Sequence, residues 1–262
     1  MVLASAAVLG LLLGQAACSR PRAFAARQAQ ASGDAPDPGY HAAPEVTGAR
    51  TADGGVSLSG RALPSSRVRM VSLRGVDTGP ISADGSGVWT AQLGPVAEPA
   101  LYSLTEEAGG QTVEAEGLIA VLPGAPTVAV LRAGFGAEVV QAAGQQPLKI
   151  LAVDYDVSGA TVVSGTARAS APVRVLVDGQ PSVEGAAAPD GRFSLTLPKP
   201  LSAGRHQLQA LTSQAVVEAE VAITPPAPPR NAPYQAQALS SGWRVDWTTP
   251  GGGAQTTLLL AG

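Results

Sequence analysis

The chain has 262 residues, of which 45% are hydrophobic, 14% charged and 4% aromatic, with 31 Gly, 22 Pro, one Cys and two His. That length and apolar content suit one or two globular domains and argue against wholesale disorder or a polytopic membrane protein. A formal charge of -3 lacks the positive excess that phosphate neutralisation demands, so no nucleic-acid partner is expected; a lone thiol cannot close an intramolecular disulfide or a thiolate zinc cage.

Residues 2–17 are uncharged, and their apolar part ends around Leu13. This is too short for a spanning helix and finishes in small residues, as an export signal does. Cys18, the sole cysteine, follows directly. Ala16, Ala17 and Cys18 resemble the end of a bacterial lipoprotein signal, although Gln15 stands where Leu is usual and no Lys or Arg precedes the apolar run. The resemblance implies that residues 1–17 are a removed signal peptide and that Cys18 carries a lipid, making the membrane a partner through the amino terminus. Ser19 as second mature residue resembles lipoproteins sorted to the outer membrane, facing the periplasm or the cell surface. Residues 18–45, rich in Ala, Gln, Pro, Gly and Ser without apolar periodicity, read as a flexible tether. Such a coil reaches roughly 30 Å, at about 5–6 Å times the square root of its length.

The remainder repeats with a period of about 105 residues. Ser59-Gly60-Arg61-Ala62 returns as Ser164-Gly165-Thr166-Ala167, and Gly87-Val88-Trp89-Thr90 as Gly191-Arg192-Phe193-Ser194. Val113-Glu114-Ala115-Glu116 returns unchanged as Val217-Glu218-Ala219-Glu220. Beyond that strand, Leu131, Gly134, Phe135 and Glu138 correspond to Leu239, Gly242, Trp243 and Asp246. Two copies are therefore placed at 46–153 and 154–262.

Within each copy the apolar period is two, as in Phe193, Leu195 and Leu197 or Val217, Ala219, Val221 and Ile223, which predicts strands with one buried face. Asp84-Gly85, Asp178-Gly179 and Asp190-Gly191 supply reversals. Six or seven short strands in about 100 residues, without a helix pattern, specify a β-sandwich. The predicted cores include Trp89, Leu93, Leu104, Val113 and Ala115 in one copy, and Phe193, Leu197, Leu208, Val217 and Ala219 in the other. The Asp-Gly turn, the Gly-x-aromatic step and the alternation after it resemble bacterial immunoglobulin-like domains. The resemblance implies an all-β chain of two tandem immunoglobulin-like modules from an exported protein. Each module is expected to be followed by a β-hairpin, at 131–153 and from Leu239 onward. In the second hairpin Trp243, Val245 and Trp247 alternate with Arg244 and Asp246, and Thr256, Leu258 and Leu260 form the return strand.

Catalytic patterns are sparse. No Gly-x-Ser-x-Gly pentapeptide occurs, neither Lys149 nor Lys199 follows a glycine, and His206 has no imidazole or thiol near it in sequence. Glu114 and Glu116, like Glu218 and Glu220, project to one face about 6.6–6.8 Å apart, within the broad range of glycosidase pairs. Their recurrence on the polar phase of both copies favours a solvated face. Asp154 and Asp156 stand at the junction, where cadherin-like arrays bind calcium, but without further acidic neighbours. No metal, no cofactor and no catalytic residue are expected. The expected function is non-catalytic: a lipid-anchored cell-envelope protein that binds or scaffolds an envelope protein or polysaccharide. The alternative is an accessory or substrate-targeting subunit of an envelope enzyme or polysaccharide-processing system. A terminal hairpin with paired aromatics must dock on something. The equivalent first-copy segment, with Phe135 and Val139 at the positions of Trp243 and Trp247, favours docking on its own or the neighbouring module, and the alternative makes Trp243, Arg244 and Trp247 the candidate partner contacts.

Overall fold

Glycine opposite an aromatic ring is the local device on which both modules are built. The computed structural model describes residues 42–52, 55–124, 127–140, 147–227, 229 and 232–261; Cys18, the signal segment and most of the tether lie outside the described residues. In the first module β1 (Glu45–Ala52), β2 (Gly55–Arg61) and β5 (Val88–Leu93) form sheet I, in the order β1-β2-β5. Gly60 of β2 lies directly across from Trp89 of β5, and a Cβ on Gly60 would come within 2.3 Å of the indole. The bare backbone lets the ring lie flat over the strand, where its Nε1 donates to the Arg61 carbonyl at 3.1 Å. Gly165 and Phe193 repeat the arrangement in the second module. The recurrent Ser-Gly and Gly-x-aromatic motifs are thus two halves of one packing unit.

Facing sheet I is sheet II, built from β3 (Arg67–Ser72), β4 (Asp77–Ser82), β6 (Ala100–Ala108), β7 (Gln111–Glu114), β8 (Leu118–Leu122), β9 (Thr127–Arg132) and β10 (Gly136–Val139). Its order is β10-β9-β8-β6-β3-β4, with β7 also paired to β6. In the second module β11 (Lys149–Asp156), β12 (Thr161–Thr166), β15 (Arg192–Thr196), β18 (Tyr234–Leu239), β19 (Gly242–Thr248) and β20 (Ala254–Leu260) form sheet III, ordered β15-β12-β11-β20-β19-β18. Sheet IV contains β13 (Pro172–Val177), β14 (Gln180–Ala186), β16 (Gly204–Leu211) and β17 (Val216–Ile223), ordered β14-β13-β16-β17. Every pairing is antiparallel. The β13–β14 reversal is Asp178-Gly179 with φ of 51° and 75°, the left-handed pair that a two-residue hairpin with native twist requires. The architecture is all-β, two immunoglobulin-like β-sandwiches in tandem.

Three apolar layers hold the four sheets. Trp89, Leu58, Val68, Met70 and Leu104 fill the layer between sheets I and II, and Phe193, Val163, Val175, Leu208 and Leu258 that between III and IV. The third lies between the modules: Leu101, Ala120, Leu122, Ala129, Leu131 and Ala137 of sheet II meet Ala152, Tyr234, Val245, Trp247 and Leu259 of sheet III. Each large side chain there contributes about 1.5–3 kcal/mol by leaving water. Strands β8 and β9 are consequently covered on both faces, with Ile119, Val121, Val128 and Val130 turned toward sheet I and Ala120, Leu122, Ala129 and Leu131 toward sheet III. Their unbroken apolar runs follow from that double burial.

The repeat boundary drawn between 153 and 154 falls inside β11, which belongs wholly to the second module. Lys149–Asp156 pairs with β12 as Glu45–Ala52 pairs with β2, with a bulge at the matching place, between Ile150 and Ala152 and between Val46 and Gly48. On its other edge β11 takes β20, so one strand serves both as the first strand of a sandwich and as the partner of the terminal hairpin. The first-copy hairpin also differs from expectation. β10 returns on β9, not toward β11, because the chain must cross from sheet II to sheet III between them. The repeated Glu-Ala-Glu strand is continuous only in β17; in the first module it breaks after Glu114, at Gly117 with φ of 89°. Val113, Ala115, Val217 and Ala219 are half-buried, unlike the other predicted core residues, which are buried.

Candidate functional site

The three proposed partner contacts sit on β19, which lies between β20 and the edge strand β18 of sheet III, and internal packing claims them to different degrees. Trp247 is 1% exposed in the layer between the modules, and its Nε1 donates to Thr257 Oγ1 at 3.2 Å. It is therefore not a surface contact: the apolar face of the terminal hairpin docks on sheet II. Trp243 is half-buried against the same layer. Arg244 points to the opposite face, where Nε and Nη2 donate to the Asp246 carboxylate at 2.7 Å each and Nη1 donates to Tyr155 Oη at 3.0 Å. It also donates to Thr224 Oγ1, the Pro225 carbonyl and Thr256 Oγ1. Arg244 thus fastens the linker after β17 to sheet III. Phe135, the first-copy counterpart of Trp243, stands 76% exposed at the β9–β10 turn, its carbonyl accepting from Ser194 Oγ at 2.6 Å.

Asp154 lies at the seam between modules. It is 2% exposed, and its carboxylate accepts from the Ala137 amide across the seam at 2.7 Å, from Thr257 Oγ1 at 2.6 Å and from Gln255 Nε2 at 3.3 Å. Burial pushes its pKa up to about 6, against the pull of those hydrogen bonds. Around it Gln255 Oε1 accepts from the Gly134 amide, Glu138 binds both Arg132 and Arg192, and Tyr234 Oη donates to the Pro99 carbonyl under the Arg74 guanidinium. Asp156 has a separate role. Its Oδ1 accepts from the Ser158 amide and hydroxyl and the Ala160 amide, closing the β11–β12 turn. The two aspartates are therefore committed to protein donors, and among the described residues no group of three or more His, Cys, Asp or Glu side chains is disposed to hold a metal.

One arrangement has the residue types of a hydrolytic triad, a feature that sequence spacing does not reveal. His206 Nδ1 lies 2.7 Å from Asp178 Oδ2, and its Nε2 lies 3.4 Å from Ser202 Oγ. The same Nε2 lies 2.9 Å from the carbonyl oxygen of Ser202, which can only accept. A proton is thereby fixed on Nε2, and the nitrogen has no lone pair free to take one from the serine. Donation from His206 Nδ1 to the Asp178 carboxylate raises the pKa of His206, and the same bond lowers that of Asp178. This is an ionic clasp between the β13–β14 turn and the start of β16. Glu114, Glu116, Glu218 and Glu220 are all exposed; Glu220 pairs with Arg205, and Glu218 accepts from Gln207 and Gln209.

An open cleft of about 740 Å³ lies at the loop end of the second sandwich, between the β12–β13, β14–β15 and β16–β17 loops. Leu148, Arg168, Asp190, Thr212 and Gln214 line it. A smaller counterpart of about 540 Å³ lies between the β2–β3 and β6–β7 loops of the first module. Both β2–β3-type loops carry a serine with left-handed φ, Ser65 and Ser170, each tied by its amide to the β4–β5-type loop. The clefts therefore have firm walls. Patterns of alternating residues identify strands and not the cleft between loops, so no sequence pattern points to Arg168 or Gln214.

No protein-family model matches the chain, and no curated protein does. Among solved structures the chain is similar to the BSP domain of a biofilm-associated protein, at 13% identity and a TM-score of 0.24, over 70% of this chain and 29% of that one. It is also similar to the central fibronectin-III array of RIM-binding protein, at 15% identity and a TM-score of 0.25, over 80% of this chain and 74% of that one. The chain spans less than a third of the biofilm-associated chain. With superpositions this partial, the assignment to tandem β-sandwiches rests on the sheet pairings and the three apolar layers.

Proposed function

We propose that this is a non-catalytic cell-envelope protein, anchored by lipid at Cys18, whose two sandwiches act as one stiff binding or scaffolding head. The observation that carries the reading is the third apolar layer. Two modules joined only by a linker move independently, whereas modules that bury Trp247, Tyr234 and Leu122 against each other keep a fixed spacing between their loop ends. Fixed spacing suits a protein that holds two points of an envelope assembly in register. The outer faces of sheets I and IV are polar, with Ser57, Thr90 and Gln92 on one and Arg174, Glu184, Gln209 and Glu218 on the other. Contact is thereby directed to the loop ends, and the cleft beside Arg168 and Gln214 is the proposed binding site for the envelope protein or polysaccharide.

Affinity capture from native envelopes through a tag near the carboxy terminus tests this. The wild type is expected to retain a partner that Arg168→Glu together with Gln214→Ala loses, with unchanged thermal unfolding. Cys18→Ser should release the protein from the membrane fraction or stall its processing. A wild type found soluble after export, without acyl mass, refutes the anchor; capture unaffected by the cleft substitutions refutes the site. Co-purification of a catalytic chain would favour the accessory-subunit reading.

A further inference from the structure

We propose that two copies of this chain associate along β18, strand to strand and antiparallel, so that their sheets III merge into one sheet across a two-fold axis. Exposed sheet edges template pairing with other chains, and proteins obstruct them with charge, proline, bulges or cover. The edges of this molecule follow that rule with one exception. β1 is bulged between Val46 and Gly48. β4 carries Pro80 and β14 carries Pro181, each beside a register shift. β17 presents Glu218 and Glu220, β7 and β10 are four residues long with Glu114 and Glu138, and β5 and β15 are flanked by β4 and β14 of the facing sheets.

β18 has none of these. Its sequence, Tyr-Gln-Ala-Gln-Ala-Leu, contains no charge and no proline, and it runs in unbroken register with β19 from Tyr234 to Leu239. The phase of the ladder says which backbone groups are open. Thr248 N donates to the Pro233 carbonyl, so Gln235, Gln237 and Leu239 bond inward to β19, while the amides and carbonyls of Tyr234, Ala236 and Ala238 point outward. Among the described residues no strand lies on that side.

The occupant follows from self-complementarity. A two-fold interface sets each residue against the same short segment of its copy. On β17 or β15 that would oppose glutamates to glutamates or Arg192 to itself, whereas on β18 it opposes only uncharged residues, Tyr, Gln, Ala and Leu. The 38% exposed Leu239 would gain cover from the added strand.

The test uses the full chain carrying Cys18→Ser, so that acyl chains cannot bring copies together. The expected result is sedimentation as two copies, with slow hydrogen exchange at the amides of Ala236 and Ala238. Ala236→Pro removes an outward donor and leaves every inward bond, and Gln237→Lys places like charges across the axis. Each should sediment as one copy with an unchanged thermal midpoint, and Gln237→Lys should exchange rapidly at Ala236 and Ala238. A wild type that sediments as one copy at every concentration overturns the proposal. A dimer retained in Gln237→Lys also overturns it, and so does protection of these amides that appears only with envelope extract, which would assign the edge to a different strand.

Discussion

Replacing Asp154 by Asn should make the protein less sensitive to pH, with the sign opposite to the usual acid denaturation. The Asp154 carboxyl has its pKa raised from 3.8 to about 6, because burial at the module seam disfavours the charged form more than Ala137, Thr257 and Gln255 favour it. Between those values the native state binds a proton that the unfolded state has released, so stability falls as pH rises through this window and is flat above it. A shift of about two units corresponds to about 3 kcal/mol, a substantial part of a stability of about 5–15 kcal/mol. Asn keeps an oxygen for the Ala137 amide and carries no charge, so the substitution deletes the pH dependence of this one group. Urea unfolding at constant ionic strength, at steps from about pH 4 to about pH 7, measures both proteins. The wild type should lose about 2.4 kcal/mol relative to Asp154→Asn across the range, the remainder falling below about pH 4. His206 and Asp178 titrate in both proteins and cancel in the difference. If that difference is independent of pH, the carboxyl is not desolvated at the seam, and the reasoning about the interface around it is wrong.

Trp247→Ala opens the layer between the modules and should cost about 3–5 kcal/mol, with both modules losing stability together in a single calorimetric transition; a second module that alone melts earlier would show the modules to be independent. Gly136 has φ of 87° and no room, since a Cβ there would stand 2.4 Å from Ser164 Oγ across the seam; Gly136→Ala should lower the thermal midpoint, whereas Gly75→Ala, in an open turn, should lower it less. In a Trp89→Phe variant, the emission of Trp243 and Trp247 should be blue-shifted with one resistant component from Trp247; full quenching by acrylamide would contradict its burial. Deleting residues 240–262 removes β19 and β20 from the middle of sheet III and uncovers Ala152 and Leu131, so the remainder should fail to fold cooperatively rather than persist without its partner.

The strands, the turns and the duplication are legible from local residue pattern alone. Alternation in Phe193, Leu195 and Leu197 needs only the two-residue period of a pleated strand, and Asp178-Gly179 needs only the left-handed conformations of a tight hairpin. The recurrence of Ser-Gly and Gly-x-aromatic marks the duplication, and the pairing of Gly60 with Trp89 explains why those two motifs recur together. How the duplicated segments pair follows from long-range packing. The segments after each sandwich are alike in sequence, yet β9 and β10 extend sheet II while β18 to β20 extend sheet III, because each must offer its apolar face to the other. That choice depends on a second sheet standing across the seam, which local periodicity cannot express. For the same reason the sequence leaves Trp247 open to both readings, internal docking and partner contact: an apolar stripe on a terminal hairpin has the same pattern whether it meets another protein or its own chain. The unbroken runs Leu118–Leu122 and 128–131 already carried the answer, since only strands covered on both faces are apolar on both phases.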